Sequence, residues 1–241
     1  MNYDVKVVAG QLVLLSKALL PAVKKDVLNS LLLIQLYADS SADKFSRFRA
    51  WGRSQVEAQV NTQWINTYTK SSEHEMSREV EFTITALVTD YLTQILSHES
   101  RVPADAVATA LNAVMQSATV QKAFVEEVLK TNPAQSTQAA DSTSNIIVQV
   151  CVVEPKASIF CVDVNLLVDS ALDGDLFVCP IKGESVIDRV GISVSRLELD
   201  LVEYESTREN VLAMIRALND KRKVALKIVD VSVPPPVAVE D

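Results

Sequence analysis

The residues able to do chemistry are few and scattered along this 241-residue chain. Its two histidines, His74 and His98, fall near opposite ends of one expected helix. At 1.5 Å per residue that spacing is about 36 Å, too far to share a metal. His74-Glu75-Met76-Ser77-Arg78 lacks the second histidine of a zincin helix. The three cysteines, Cys151, Cys161 and Cys179, form no C-x-x-C and sit in apolar, strand-like runs, where cysteine behaves as a small hydrophobe. That count does not make a disulfide framework, although one bridge between neighbouring strands stays open. No G-x-S-x-G elbow occurs. The five glycines, Gly10, Gly52, Gly174, Gly183 and Gly191, are too dispersed for a phosphate-cradling loop. Asp163, Asp169, Asp173 and Asp175 lie on or beside one expected hairpin, but Asp169–Asp175 lacks the order of a calcium loop and its distal Glu. Two-carboxylate hydrolysis wants an aromatic-lined cleft, and aromatics are 5% of the chain. The one cationic cluster is Lys44, Arg47, Arg49 and Arg53. It reads as a solvated helix face, or as a face for an acidic partner or for the chain's own acidic half. The expectation is therefore no catalytic residues, no metal and no cofactor, in a protein that is not an enzyme.

Composition sets the next limits. Hydrophobic residues make up 48%, enough for a real core. The net charge of −8 is unevenly spread: residues 1–140 carry 13 basic and 14 acidic residues, residues 141–241 carry 10 and 17. Acidity in the second half disfavours nucleic acid and anionic membranes as its partners, because counterion-release binding needs a basic surface. No basic n-region or cleavage site marks a signal peptide, and no apolar run reaches the 18 residues of a spanning helix. The default is a reduced, cytoplasmic protein, with secretion lacking a cleaved signal left open.

The elements that would position these residues change character near residue 140. The first half predicts helices over Val5–Leu20, Ala22–Tyr37, Ala42–Thr69, a segment opened by the capping box Ser72-x-x-Glu75 and running to His98, and a last one from Pro103 to Lys130. After a polar stretch, apolar residues alternate. Strands are expected over Ile146–Val153, Ser158–Asp169, Asp175–Ile181 (bearing Pro180), Ile192–Glu203 with a bulge near Arg196, and Val224–Val233, with a hairpin turn at Asp173-Gly174 and a helix over Thr207–Asp220. The fold expected is α+β: an N-terminal antiparallel bundle of four to five helices, then a mainly antiparallel sheet with one helix. The boundaries are 1–131 for the bundle, 132–144 for a linker, 145–236 for the sheet and 237–241 for a tail.

Cys151-Val152-Val153-Glu154-Pro155-Lys156-Ala157-Ser158-Ile159-Phe160-Cys161-Val162-Asp163-Val164-Asn165-Leu166, and the later Ser193-Val194-Ser195-Arg196-Leu197-Glu198 with the helix around Leu212–Leu218, resemble a bacterial domain-of-unknown-function family over residues 146–220. The chain departs from that pattern in lacking its second proline near Lys156–Ser158, and the family brings no catalytic residues. The resemblance implies a bacterial type of protein. The primary reading is a non-enzymatic interaction or assembly protein working through protein contacts of its helical bundle and sheet edge, including self-association. The alternative is an accessory component of a bacterial toxin system. Its long amphipathic helices with Leu12–Leu15 and Leu31–Leu36 resemble helical pore-forming toxins, although no helical hairpin is long enough to span a bilayer.

Overall fold

The structure is a computed structural model that describes residues 2–96, 104–132, 142–172, 176–222 and 227–233. The chain opens on strands. β1 (Tyr3–Val8) and β2 (Gln11–Ser16) form an antiparallel hairpin turned at Ala9 and Gly10, whose φ angles are 49° and 83°. A Cβ on Gly10 would stand 2.7 Å from Glu127 Cβ, so both backbone conformation and space call for glycine there. The expected helix over Val5–Leu20 is overturned. Every residue of β2 is buried. A run apolar on all sides fits a strand covered on both faces as well as a buried helix, and periodicity cannot separate the two.

Pro21 then occupies the first turn of α1 (Pro21–Ser41), close to the expected second helix. The expected long third helix divides into α2 (Phe48–Asn61) and β3 (Trp64–His74). The Thr62 hydroxyl donates back to the Ala58 carbonyl at 2.7 Å, and Gln63 takes φ 63°, which ends the helix. Ile65, Thr67, Tyr68 and Thr69 then favour extended backbone. The Ser72-x-x-Glu75 box therefore starts no helix. Ser72 lies inside β3 and Glu75 just beyond it.

β4 (Glu81–Phe82) follows, then α3 (Ile84–Leu96), α4 (Ala104–Gln116) and α5 (Ala118–Val128). Next come β5 (Leu129–Asn132), β6 (Thr143–Val153), β7 (Ser158–Val168), β8 (Ile181–Lys182), β9 (Val186–Leu199), α6 (Leu201–Asn219) and β10 (Ile228–Val231). The α+β expectation stands only in that general sense, because the N-terminal helical bundle is not there. Four of the elements in the first 132 residues, β1, β2, β3 and β5, are strands of a large eight-stranded sheet. Its order is β10-β1-β2-β6-β7-β9-β3, with β5 also paired to β6. All pairs are antiparallel except β2–β6. β4 and β8 form a separate two-stranded ribbon.

Helices cover both faces of the sheet. On one side α3, α4 and α5 pack through Ile84, Val88, Leu92, Leu111, Val114 and Phe124 onto Val148, Val150, Val162, Val164, Ile192 and their neighbours. On the other side α1, part of α2 and α6 pack through Val27, Leu31, Leu33, Ile34, Ala58 and Val211 onto Val13, Leu15, Cys151, Val153, Ile159 and Leu197. This explains why Leu31–Leu36 is apolar in several directions: α1 is wedged between the sheet and two other helices.

The second half matches expectation at β6 and β7 and departs elsewhere. The third expected strand shrinks to β8, while Leu176 and Phe177 turn inward as a plug. The bulge expected near Arg196 on β9 is not there: one pairing irregularity sits on β3, between Asn66 and Tyr68, opposite Arg196, and another lies where β9 pairs with β7, between Gly191 and Ile187. The change of apolar phase along β9 has another cause. Val190, Ile192 and Val194 lie under α3–α5, whereas Leu197 and Leu199 lie under the opposite layer. α6 starts earlier than expected because Asp200 caps it, accepting from Val202 N at 3.0 Å and Glu203 N at 3.1 Å. The Asp173-Gly174 turn and most of the polar linker lie outside the described residues, as does His98. Among the described residues no helix is long and apolar enough to cross a membrane.

Candidate functional site

Register decides which side chains meet. In the strand pairing Gln11 (β2) stands beside Gln149 (β6), Gln149 beside Asp163 (β7), Asp163 beside Ser193 (β9) and Ser193 beside Ser71 (β3). Cα partners share a face, so these five residues make one polar row across five strands. Helices close over one end of it. Gln149 Oε1 accepts from Gln11 Nε2 at 3.2 Å, from Gln35 Nε2 of α1 at 2.8 Å and from Gln55 Nε2 of α2 at 3.2 Å. Gln149 Nε2 donates to Asp163 Oδ1 at 2.9 Å. Burial pushes the Asp163 carboxyl up to about 6, against the pull of that hydrogen bond. Such a network fixes how α1 and α2 seat on the sheet, because a shifted helix would strand buried amides. Among the described residues Gln11 Oε1 already lacks a hydrogen-bond partner.

The opposite face has no such row. Leu12, Val150, Val162 and Val194 stand in register across four strands, with Val148, Val164 and Ile192 in the next line. Polar side chains join these lines only at the outermost strand, where Lys70 pairs with Val194 and Ser72 with Ile192.

The other end of the polar row opens into a cleft of about 970 Å³ between the start of α2 and strands β3, β7 and β9. Arg47, Arg49, Arg53 and Arg189 line it, together with Ser71, Ser193, Asn165 and Gly191, and two carboxylates, Glu73 and Asp188. Arg189 is ion-paired with Glu73 at 3.5 Å and Glu75 at 3.2 Å. Arg47 donates to the Ser41 carbonyl at 3.4 Å. Among the described residues Arg49 and Arg53 have no acidic partner.

The residues singled out in the sequence scatter accordingly. Lys44 leaves the cationic cluster: it is buried, 3.5 Å from Glu127, with its Nζ over the Phe45 and Trp51 rings at 5.4 and 6.0 Å. His74 lies in a strand, its Nε2 within 2.8 Å of both Ser72 Oγ and Tyr91 OH. Cys151 and Cys161 are direct cross-strand partners on β6 and β7, both thiols free and buried, and Cys179 is half-buried. Asp169 is bonded through its backbone N–H to the Ser185 carbonyl, and Asp173 and Asp175 lie outside the described residues. Among the described residues no three His, Cys, Asp or Glu side chains converge as a metal site. Sequence reasoning missed the four glutamines, Ser71, Ser193 and Arg189. Nothing short of strand register would have joined them, since 138 residues separate Gln11 from Gln149.

No family model and no curated protein matches this chain. Solved structures similar to it include one titled a delta-endotoxin, with 9% identity, 78% of this chain and 80% of that chain covered and a TM-score of 0.43. Another is the activated Cyt2Ba monomer from Bacillus thuringiensis subsp. israelensis, with 8% identity, 83% and 98% covered and a TM-score of 0.46. A third is the Evf virulence factor, with 6% identity, 93% and 85% covered and a TM-score of 0.37. With identities below a tenth and TM-scores this low, these likenesses carry no information about what the chain does.

Proposed function

We propose that this chain is a non-catalytic, membrane-acting assembly protein of pore-forming toxin type, whose sheet rather than any helix enters the bilayer. One observation carries the reading: β7 and β9 present chemically different faces over their middle stretches, Val162–Asn165 and Val190–Ser195. A transmembrane β-strand needs about 9–11 residues. β3, β6 and β7 have 11 each and β9 has 14. A membrane barrel alternates apolar side chains toward lipid with polar ones toward its lumen. Val162, Val164, Val190, Ile192 and Val194 supply the lipid-facing set on β7 and β9, and Asp163, Asn165, Ser193 and Ser195 the opposite set.

In the folded chain α3–α5 cover the apolar face, so they must move aside first. No edge may remain open in a bilayer, which makes assembly part of the function: among the described residues β3 and β10 end the sheet, and each offers an edge to another copy. The test is dye release from phosphatidylcholine vesicles with hydrogen exchange read in parallel. The expected result is release, accompanied by faster exchange in α3–α5 while β6, β7 and β9 stay protected. A folded protein that leaves vesicles sealed at every pH and lipid composition tried would refute the membrane reading.

A further inference from the structure

The arginine cleft takes no part in the apolar face that carries the membrane reading. It is an unusual feature on a chain of net charge −8. Four arginines line it against two carboxylates, one of which is already held by Arg189. Arg49 and Arg53 have no acidic partner among the described residues.

Besides Phe48, Ala50, Ile192 and the two carboxylates, the wall offers hydrogen-bond donors. α2 begins at Phe48 with no side chain capping its first turn and no acidic residue in that turn, so its free N–H groups and positive dipole end lie beside the arginines. Across the cleft, Ser71 and Ser193 share a hydrogen bond of 3.0 Å, and either hydroxyl can turn outward. Asn165 is held over Gly191: a Cβ on that glycine would lie 2.5 Å from the Asn165 amide nitrogen. Its amide has no hydrogen-bond partner among the described residues, although it lines the cleft.

We infer that this cleft binds a phosphate group. Guanidinium forks match phosphate oxygens in pairs, and hydroxyl, amide and helix N–H donors complete the shell. Four arginines face Glu73 and Asp188 in the lining and Glu75 beside it, which leaves a surplus of one positive charge to receive an anion. The volume leaves room for whatever carries the phosphate. Two sources share this chemistry, a soluble phosphomonoester and the headgroup of phosphatidic acid.

Thermal unfolding of the full chain in inorganic phosphate, against chloride at equal ionic strength, tests the site without any membrane. Phosphate should raise the midpoint of the wild type by mass action. Arg49→Gln/Arg53→Gln should weaken that response on the order of tenfold per arginine. Its midpoint in chloride serves as the folding control, and Arg49→Lys/Arg53→Lys should recover part of the response. A wild type that shifts no more in phosphate than in chloride, or a double Gln variant that shifts as much as the wild type, overturns the inference. Sedimentation with phosphatidylcholine vesicles, with and without phosphatidic acid, then separates the sources. Loss of the extra binding to phosphatidic acid in the Gln variant assigns the site to lipid; unchanged vesicle binding alongside a lost phosphate shift assigns it to a soluble ligand. Because the phosphate shift is read without lipid, failure of dye release leaves this site standing, and failure of the shift leaves the membrane reading standing.

Discussion

Asp163→Asn should stabilise the folded protein, and only above the acidic range. The folded state holds the Asp163 proton up to about pH 6, against an ordinary value of 3.8. A carboxyl whose folded value is raised favours folding relatively more at low pH, and that advantage is lost as pH rises from 3.8 to 6. Above pH 6 the wild type bears a charge that the sheet–helix interface opposes. A difference of 6 − 3.8 = 2.2 units, at 1.36 kcal/mol each, sets a ceiling of about 3 kcal/mol. Part of the residue still reaches solvent, which brings the expectation to about 2 kcal/mol. Asparagine removes the charge and keeps an oxygen to accept from Gln149 Nε2. The groups facing Asp163 do not blur the effect. Gln149 and Ser193 do not titrate, and the Cys161 thiol is pushed up by its hydrogen bond with Cys151, by burial and by nearby charge. Urea unfolding from pH 3.5 to 8 is the assay. The variant should match the wild type at pH 3.5 and gain steadily to a plateau above pH 7, worth roughly 4–8 °C in the thermal midpoint for a chain of this size. A variant no more stable at pH 8, or one with the same gain at every pH, would refute the argument from burial.

Two further outcomes follow from single contacts. Arg208 of α6 grips Asp26 of α1 with Nε and one terminal nitrogen, at 2.9 and 2.8 Å, and the Asp26 side chain is only 7% exposed. Arg208→Gln should therefore lower the thermal midpoint by several degrees at neutral pH; Arg208→Lys should restore only part, since it lacks the fork. Thiol labelling of the native protein should show one fast cysteine, Cys179, and two that react only on unfolding, Cys151 and Cys161. Both lie under α1 and α6, so they should stay slow on vesicles if only α3–α5 move aside.

Several parts of this protein follow from its sequence alone. The helix expected over Ala22–Tyr37 is there as α1, with Pro21 in its first turn, and the Leu31–Leu36 run makes that helix a buried one. Alternation over Val162–Leu166 within Ser158–Val168 makes a strand, with Asp163 interrupting one of its faces. Propensity sufficed there because the proline and the alternating polar residues settle what the apolar residues alone leave open. It did not suffice at Val5–Ser16 or Trp64–His74. An all-apolar run suits helix and strand alike, and the aromatic and apolar residues from Phe45 to Trp64 happen to continue at helical steps past the turn at Gln63. What chose strands was the partner: β1 and β2 complete a sheet with β6 and β10, and β3 closes the far edge on β9. The polar row and the arginine cleft belong to the same class of fact. Gln11, Gln149, Asp163, Ser193 and Ser71 meet only because pairing register aligns them. Arg189 joins Arg47, Arg49 and Arg53 only because the start of α2 stands over β9. Sequence carries the face a residue prefers; only the tertiary structure decides which residues share that face.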